Sequence, residues 1–348
     1  MRIFIQLDDL YVANPNILEP LLLDLIAMGN SDQLNENKVQ RTIYLVSSFA
    51  SPSEVVGATW IHPNKVPQLM TNNPANVLIH FGPVANWAKN LPSLFIPLNL
   101  PHEEDQLSWI KKWVYQKRYQ KTLKAATQVL ALDEWHAQNR PGSKKLALNK
   151  APLPSFEWSQ LATIRSDLTD GNQYLLAFVD TEAIIPILKA FSVFKKWQLS
   201  TMSIVFVMDS EHAKQKAATL LLGYKYKDAV ELVSLSSFKL EWIAAAYLTI
   251  FSSMNSHRYQ FLTYSMRYQI PFLLHQASNV NHFVVPSLAA AGESFDFMQP
   301  DLLANHFKLY YKDEMYRAAK GVEIQKAIQE EIQRFNQIAS LAWPMDLI

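Results

Sequence analysis

Short apolar runs alternate with helix-like stretches twice along this chain, and that repetition constrains its fold more than any other feature. In the first half, residues 2–7, 42–47 (TIYLVS), 77–81 (VLIHF), 94–98, 128–132 (QVLAL) and 144–148 read as strands. Helices are expected over 17–28 and over the charged, aromatic stretch 104–126. The pattern restarts with strands at 174–179 (YLLAFV), 202–208 (MSIVFVM), 229–233, 248–251 and 271–274. Helices are expected there over 184–195, 211–222, 239–246, 261–268 and 312–338. Strands that are apolar throughout, rather than alternating, need cover on both faces, and helices between parallel strands supply it. Between the two halves lies NKAPLPSFEWSQ, residues 149–160. Its Pro152 and Pro154 interrupt regular structure and mark a domain boundary. A length of 348 residues suits two domains of ordinary size.

Composition excludes several classes of function. The chain has no cysteine, which removes thiolate chemistry, disulfides and cysteine metal sites. A formal net charge of +1 gives no strong overall field toward nucleic acid, so no nucleic-acid partner is expected. The start, MRIFIQLDDLYV, reaches Asp8 and Asp9 before an apolar run develops, and no spanning stretch follows, so the expectation is a soluble, cytoplasmic protein. Only eight glycines are present, against an average near 7%. Phosphate-cradling turns usually need glycine, because the backbone must come close and adopt positive φ. Neither G-x-G-x-x-G nor a P-loop is found. His212, His275 and His282 have no neighbours at metal-ligand spacing, and no metal or cofactor is expected. Ser252 and Ser253 lack the glycines of a nucleophile elbow, so no catalytic residue is assigned.

Residues 242–273, WIAAAYLTIFSSMNSHRYQFLTYSMRYQIPFL, resemble the donor-site segment of the GT-B nucleotide-sugar glycosyltransferases, in particular the retaining group with an E-x7-E donor motif. On the family form PSxxEGFGxPxxEAMAxGxPVI, Ser253, Met266 and Pro271 match. Residues 224–247 and 277–307 are similar to neighbouring family stretches, with Ser278, Asn279, Val280, Gly292 and Pro300 matching in the second. KDEMYRAAKGVEIQ (312–325) resembles the family ending, and AATQVLALDEWHAQNR (125–140) more faintly its first-domain "ADxVIAVSE" run. The resemblance implies two Rossmann-like domains facing across a cleft: an acceptor-side domain over 1–150, a donor-side domain over 151–321, and a helix over 322–348 crossing back to the first.

The chemistry departs from that pattern. The two family glutamates fall on Ser256 and Tyr264, and the loop glycines on His257 and Tyr259. The Arg and Lys that the resemblance places after the first strand of the second domain are absent. That strand runs instead into Asp180, Thr181 and Glu182, and the next basic residue is Lys189. Two carboxylates there would repel a diphosphate that cations ordinarily stabilise. Asn99, in PLNL, takes the place of the histidine of a TIHD-like turn.

The donor-binding candidates are therefore Ser256, His257, Arg258, Tyr264 and Asn279, with His80 and Asn99 as cleft candidates. Arg258 reads either as a phosphate clamp or as a solvated surface residue, the ordinary state of arginine. His80 ends a strand, where α/β folds open crevices, and reads equally as a ligand contact or a hydrogen-bonded core histidine. The run 109–124, WIKKWVYQKRYQKTLK, is basic and aromatic. One reading is peripheral contact with an anionic membrane surface at the inner face. The other is an amphipathic helix that packs Ile110, Trp113, Val114 and Leu123 on its sheet.

Two functions stay open. One is transfer of a sugar from a nucleotide-sugar donor to a saccharide or lipid-linked acceptor, through an atypical donor site. The alternative is a non-catalytic relative serving as a binding or scaffold subunit beside other glycosyltransferases in polysaccharide synthesis.

Overall fold

The computed structural model describes residues 2–7, 22, 25–26, 42–47, 58–70, 76–81, 91–96, 109–131, 144–145, 153, 155–197, 200–254, 256–276, 284 and 286–339. The chain divides into two compact units, 1–152 with 334–348, and 153–333.

The first unit holds β1 (Arg2–Gln6), β2 (Thr42–Val46), β3 (Thr59–Ile61), β4 (Asn76–His80), β5 (Ser93–Phe95), β6 (Gln128–Ala131) and β7 (Lys144–Lys145). Its described helices are α1 (Val66–Met70) and α2 (Trp109–Ala125). The strands form one sheet in the order β3-β2-β1-β4-β5-β6-β7, every neighbouring pair parallel. Phe4, Val46, Val66 and Leu78 form a buried cluster on it. Most of the helix expected over 17–28 lies outside the described residues, although Leu22, Leu25 and Ile26 are helical and buried.

The second unit begins with α3 (Trp158–Thr169), which starts where the polar linker was expected to continue. A capping box explains the start: the Glu157 N–H donates to Gln160 Oε1 at 2.7 Å, satisfying one end of the first turn. β8 (Tyr174–Phe178), α4 (Ile184–Trp197), β9 (Ser203–Met208), α5 (Glu211–Leu220), β10 (Val230–Ser234), α6 (Glu241–Ala245) and β11 (Leu248–Phe251) follow. Then come α7 (Ser256–Arg267), β12 (Phe272–His275), α8 (Pro286–Ala291), β13 (Glu293–Phe295), α9 (Pro300–Lys312) and α10 (Glu314–Ala339).

The second sheet runs β10-β9-β8-β11-β12-β13, again wholly parallel. β8 and β9 are buried at every position, as unbroken apolar runs between two helical layers should be. Phe178 stacks on Phe251 at 5.1 Å and on Phe261 of α7 at 4.9 Å, while Phe191 and Phe194 of α4 anchor the other cluster. Two edge strands, β3 and β13, escaped the sequence reading because TWI and ESF are three residues long and carry no apolar run.

Counted from their own first strand, both sheets run 3-2-1-4-5-6, and the first adds a seventh strand beyond the sixth. In each, the strand order reverses once, between β1 and β4 and between β8 and β11. Crevices beyond the carboxyl ends of strands at such reversals are where open α/β sheets bind ligands. His80 stands at the end of β4, in register with Gln6 of β1. In the second unit, Asp180 follows β8 and Ser252 follows β11.

Candidate functional site: an Asp–Arg–Asp cluster at the carboxyl edge of the second sheet

Four adjacent strands of the second sheet each end in a polar residue. Asp209 follows β9, Asp180 follows β8, Ser252 and Ser253 follow β11, and His275 closes β12. Arg258 of α7 joins the first three. Its Nη2 donates to Asp180 Oδ1 at 3.0 Å and to both Asp209 oxygens at 3.0 Å. Its Nη1 donates to Ser253 Oγ. Asp180 is held further: its N–H donates to Ser252 Oγ at 3.0 Å, and the Ser252 and Ser253 hydroxyls donate to its Oδ2.

Arg258 is 1% exposed, so the reading of it as a solvated arginine is overturned. The reason lies in the start of α7. Sequence reasoning expected the helix near 261, with 256–260 as a loop, but α7 starts at Ser256. The positions at which the resemblance has glycine are His257 and Tyr259, which cost a helix less than glycine does and leave no break. The helix therefore carries Arg258 over the strand ends, where two carboxylates meet it. Burial alone would pull its guanidinium down; Asp209 and Asp180 reverse that and hold it above its ordinary value.

The side chains of Asp180 and Asp209 remain 43% and 32% exposed. Their pairing leaves one negative charge in excess over Arg258, with exposed Glu182 beside it in the 3-10 turn Thr181–Ala183. Lys189 is exposed on α4, in the middle of that helix rather than in the loop before it.

His275 receives its place from the same edge. Its Nδ1 lies 3.2 Å from the Ser252 carbonyl oxygen, and its ring stacks on Phe297 with centroids 3.9 Å apart. Burial lowers its pKa, and the Ser252 carbonyl and Asp296 offset part of that. Donation from Nδ1 to the carbonyl leaves Nε2 as the acceptor of a neutral ring.

The other residues singled out from the sequence fall as follows. Ser256 and His257 form the first turn of α7. Tyr264, one turn beyond Gln260 on the same helix, is buried, with the Arg267 guanidinium 5.6 Å from its ring centroid. Asn279 and Asn99 lie outside the described residues. His80 is fully buried and stacks on Phe95 at 5.0 Å. Asp209 was not singled out at all; its signal was its place directly after an apolar strand, which many ordinary loop residues share. Among the described residues no group of three or more His, Cys, Asp or Glu could hold a metal ion.

No protein-family model matches this chain, and no curated protein matches it in sequence. Solved structures do match in shape. The chain is similar to HepE of Anabaena in complex with UDP and glucose, with a TM-score of 0.59, 13% identity and 98% of each chain covered. It is similar to WaaG, a glycosyltransferase involved in lipopolysaccharide biosynthesis, with a TM-score of 0.59, 13% identity and coverage of 94% of this chain and 95% of that one. Sucrose-phosphate synthase from Thermosynechococcus elongatus matches with a TM-score of 0.57, 12% identity and coverage of 98% and 100%. At such identities the likeness speaks for the backbone and is silent on the chemistry. Two parallel-sheet α/β units in this strand order, superposing over nearly their whole length on these structures, give the chain the GT-B fold of the glycosyltransferases.

Proposed function

We propose that this protein is a glycosyltransferase-fold binding or scaffold subunit, working beside active transferases in saccharide assembly without transferring a sugar from a nucleotide donor itself. The observation that supports this reading most is the pinning of Arg258 between Asp180 and Asp209. A diphosphate leaving group needs cations or dipoles aimed at the charge it develops. At the strand reversal of the second sheet, the described cation is committed to two carboxylates. Drawing it toward a phosphate would bring that phosphate up against both acids, in a partly desolvated site where charge repulsion is strong. The loss of both glutamates, the loop glycines and the cation pair together points the same way, because such groups act as one unit.

A panel of UDP, GDP, ADP and their sugar conjugates, read by thermal shift, tests the proposal. The expected result is no change in Tm at saturating nucleotide. A ligand that binds the native state raises Tm, by about 2.7 kcal/mol of stabilisation at a hundredfold excess over Kd. A clear rise with any nucleotide, together with release of UDP from UDP-glucose in the presence of a saccharide acceptor, would overturn it.

The second reading is transfer from a nucleotide sugar through a remodelled site. It is favoured by one specific observation: HepE, which this chain resembles over 98% of its length, is solved with UDP-glucose. On that reading, Ser256, His257 and the backbone N–H groups of the first turn of α7 meet the phosphates in place of a glycine loop.

A further inference from the structure

Ten large hydrophobic side chains stand exposed among the described residues, and five of them belong to two neighbouring helices of the second unit. The other five are dispersed: Trp113 on α2, Trp158 on α3, Leu222 after α5, and Met315 and Val322 on α10. Trp113 was expected to pack on its sheet; instead it faces outward on α2, as Lys117, Lys121 and Lys124 do, while Val114 and Leu123 are half-buried. The grouped five are Ile185 and Trp197 of α4, Leu302 and Leu309 of α9, and Met298 in the turn before α9.

α4 and α9 lie side by side. Phe194 of α4 meets Phe307 and Tyr311 of α9 with ring centroids 6.2 and 5.4 Å apart. Both helices run from the carboxyl edge of the sheet to its amino edge. α9 starts just after Phe297, which stacks on His275 at the end of β12. It ends where the Tyr310 carbonyl accepts from the Tyr247 hydroxyl at 2.8 Å, beside the start of β11. α4 leaves the end of β8, and its Lys195 donates to the Ser200 and Met202 carbonyls just before β9.

The exposed residues of α9 are Asp301, Leu302, Asn305, Leu309 and Lys312. Their i, i+1, i+4, i+8, i+11 spacing keeps them on one stripe, about 16 Å long at 1.5 Å per residue. Leu303, Ala304, Phe307 and Tyr310 form the buried stripe opposite. α9 is therefore apolar on two sides, and the core covers one. The outer stripe reads the same from either end, a charge, a leucine, a polar centre, a leucine and a charge, with the sign of the charge inverted. The helix dipole favours an acid in the first turn and a base in the last, but it gives no reason for leucines left 51% and 40% exposed between them.

We infer that this face pairs with the same face of a second copy of the chain, the two α9 helices lying antiparallel across a two-fold axis near Asn305. In an isologous contact each residue meets its counterpart twice. Asp301 then faces Lys312 of the second copy, Leu302 faces Leu309 of the second copy, and the mirrored pairs repeat both contacts. A partner of uniform charge would be repelled at one end of the stripe, whereas a second copy answers both ends. Ile185, Trp197 and Met298 border the stripe and extend its apolar area. With helices about 20 Å long and about 10 Å between axes, the footprint falls at the lower end of specific interfaces, so a dissociation constant on the order of micromolar is expected. The inference does not rest on the function proposed above, since the stripe lies on the outer side of the helices and not at the Asp180–Arg258–Asp209 cluster.

Sedimentation equilibrium of the full-length protein over a range up to about a hundredfold above that constant tests the pairing, and a reversible monomer–dimer equilibrium is expected. Leu302→Glu and Leu309→Glu should each weaken the dimer more than about tenfold, because each variant loses two apolar contacts and buries two charges. Asp301→Lys or Lys312→Glu alone should weaken it about tenfold, as both end pairs become like-charged. Mixing the Asp301→Lys and Lys312→Glu proteins should restore pairing as a heterodimer, and the double variant should pair with itself. Raised salt should remove the difference between the charge variants and the wild type. All four side chains are exposed, and circular dichroism with thermal unfolding separates loss of pairing from loss of fold. A protein that stays monomeric throughout the range, or a dimer that Leu302→Glu and Leu309→Glu leave intact, would overturn the inference. So would a mixture of the two charge variants that pairs no better than either alone.

Discussion

Arg258 shows how far a residue type can be read and where that stops. The sequence marked it as one of two arginines, with Arg267, in the donor-like segment. Its state is set by Asp180 and Asp209, which lie 78 and 49 residues away. Removing one member of a buried ion cluster strands the others, which usually costs more than the cluster contributes. Both acids keep access to water, which softens that penalty. Arg258→Met should therefore destabilise the protein by roughly 2–4 kcal/mol in urea unfolding. Asp180→Asn and Asp209→Asn should each cost about 1–2 kcal/mol, because one carboxylate still faces the guanidinium. The double variant should exceed their sum, since the buried charge then has no anion at all. An Arg258→Met variant as stable as the wild type would show that the cluster does not hold α7 to the sheet.

At the scale of elements, strand positions were legible because each buried strand is a self-contained apolar run. Helix starts were less so. α7 begins five residues before the expected point because its first turn lacks the glycines that would have stopped it, and no positive signal announces the earlier start. α10 offers a test of a glycine that sequence reasoning would call a weakness. Gly321 lies inside this helix, where alanine would ordinarily gain about 1 kcal/mol. A methyl at Gly321 would run into the carbonyl oxygen of Gln269, a backbone atom fixed in a turn with φ of 60°. Gly321→Ala should thus destabilise, by about 1–3 kcal/mol as for other overpacked contacts. A rise in Tm for this variant would mean that the α7–β12 turn yields easily to α10.

For the whole molecule, two groups set an acid limb of stability. His275 has a lowered pKa, so the unfolded chain takes up its proton first as pH falls below the ordinary value of 6.5. Stability from this group is complete above 6.5 and is lost as pH falls through the depressed value. Burial would raise the Glu293 carboxyl, but its bonds with His306 and Tyr316 reverse that and lower it. Its contribution is present above 4.5 and lost as pH falls further. Glu231, raised by burial and by Asp170, works the other way in the acid range. Denaturation midpoints should hold from pH 8 to about 6.5, decline gently, then fall faster below about 4.5. His275→Asn should flatten the first decline; if it persists unchanged, His275 is not its source.

By itself the sequence determined that this chain folds as two parallel α/β sheets, that it has no cysteine chemistry, and that it carries neither G-x-G-x-x-G nor a P-loop. Those are properties of local runs and composition, which need no partner elsewhere in the chain. Only the tertiary structure decided that Asp180, Asp209 and Arg258 meet, and that Trp113 faces outward with its lysines. Strand ends become neighbours through the order in which crossovers lay them side by side. The exposed face of a helix is whatever its packing leaves uncovered, and neither is written in the spacing of residues along the chain.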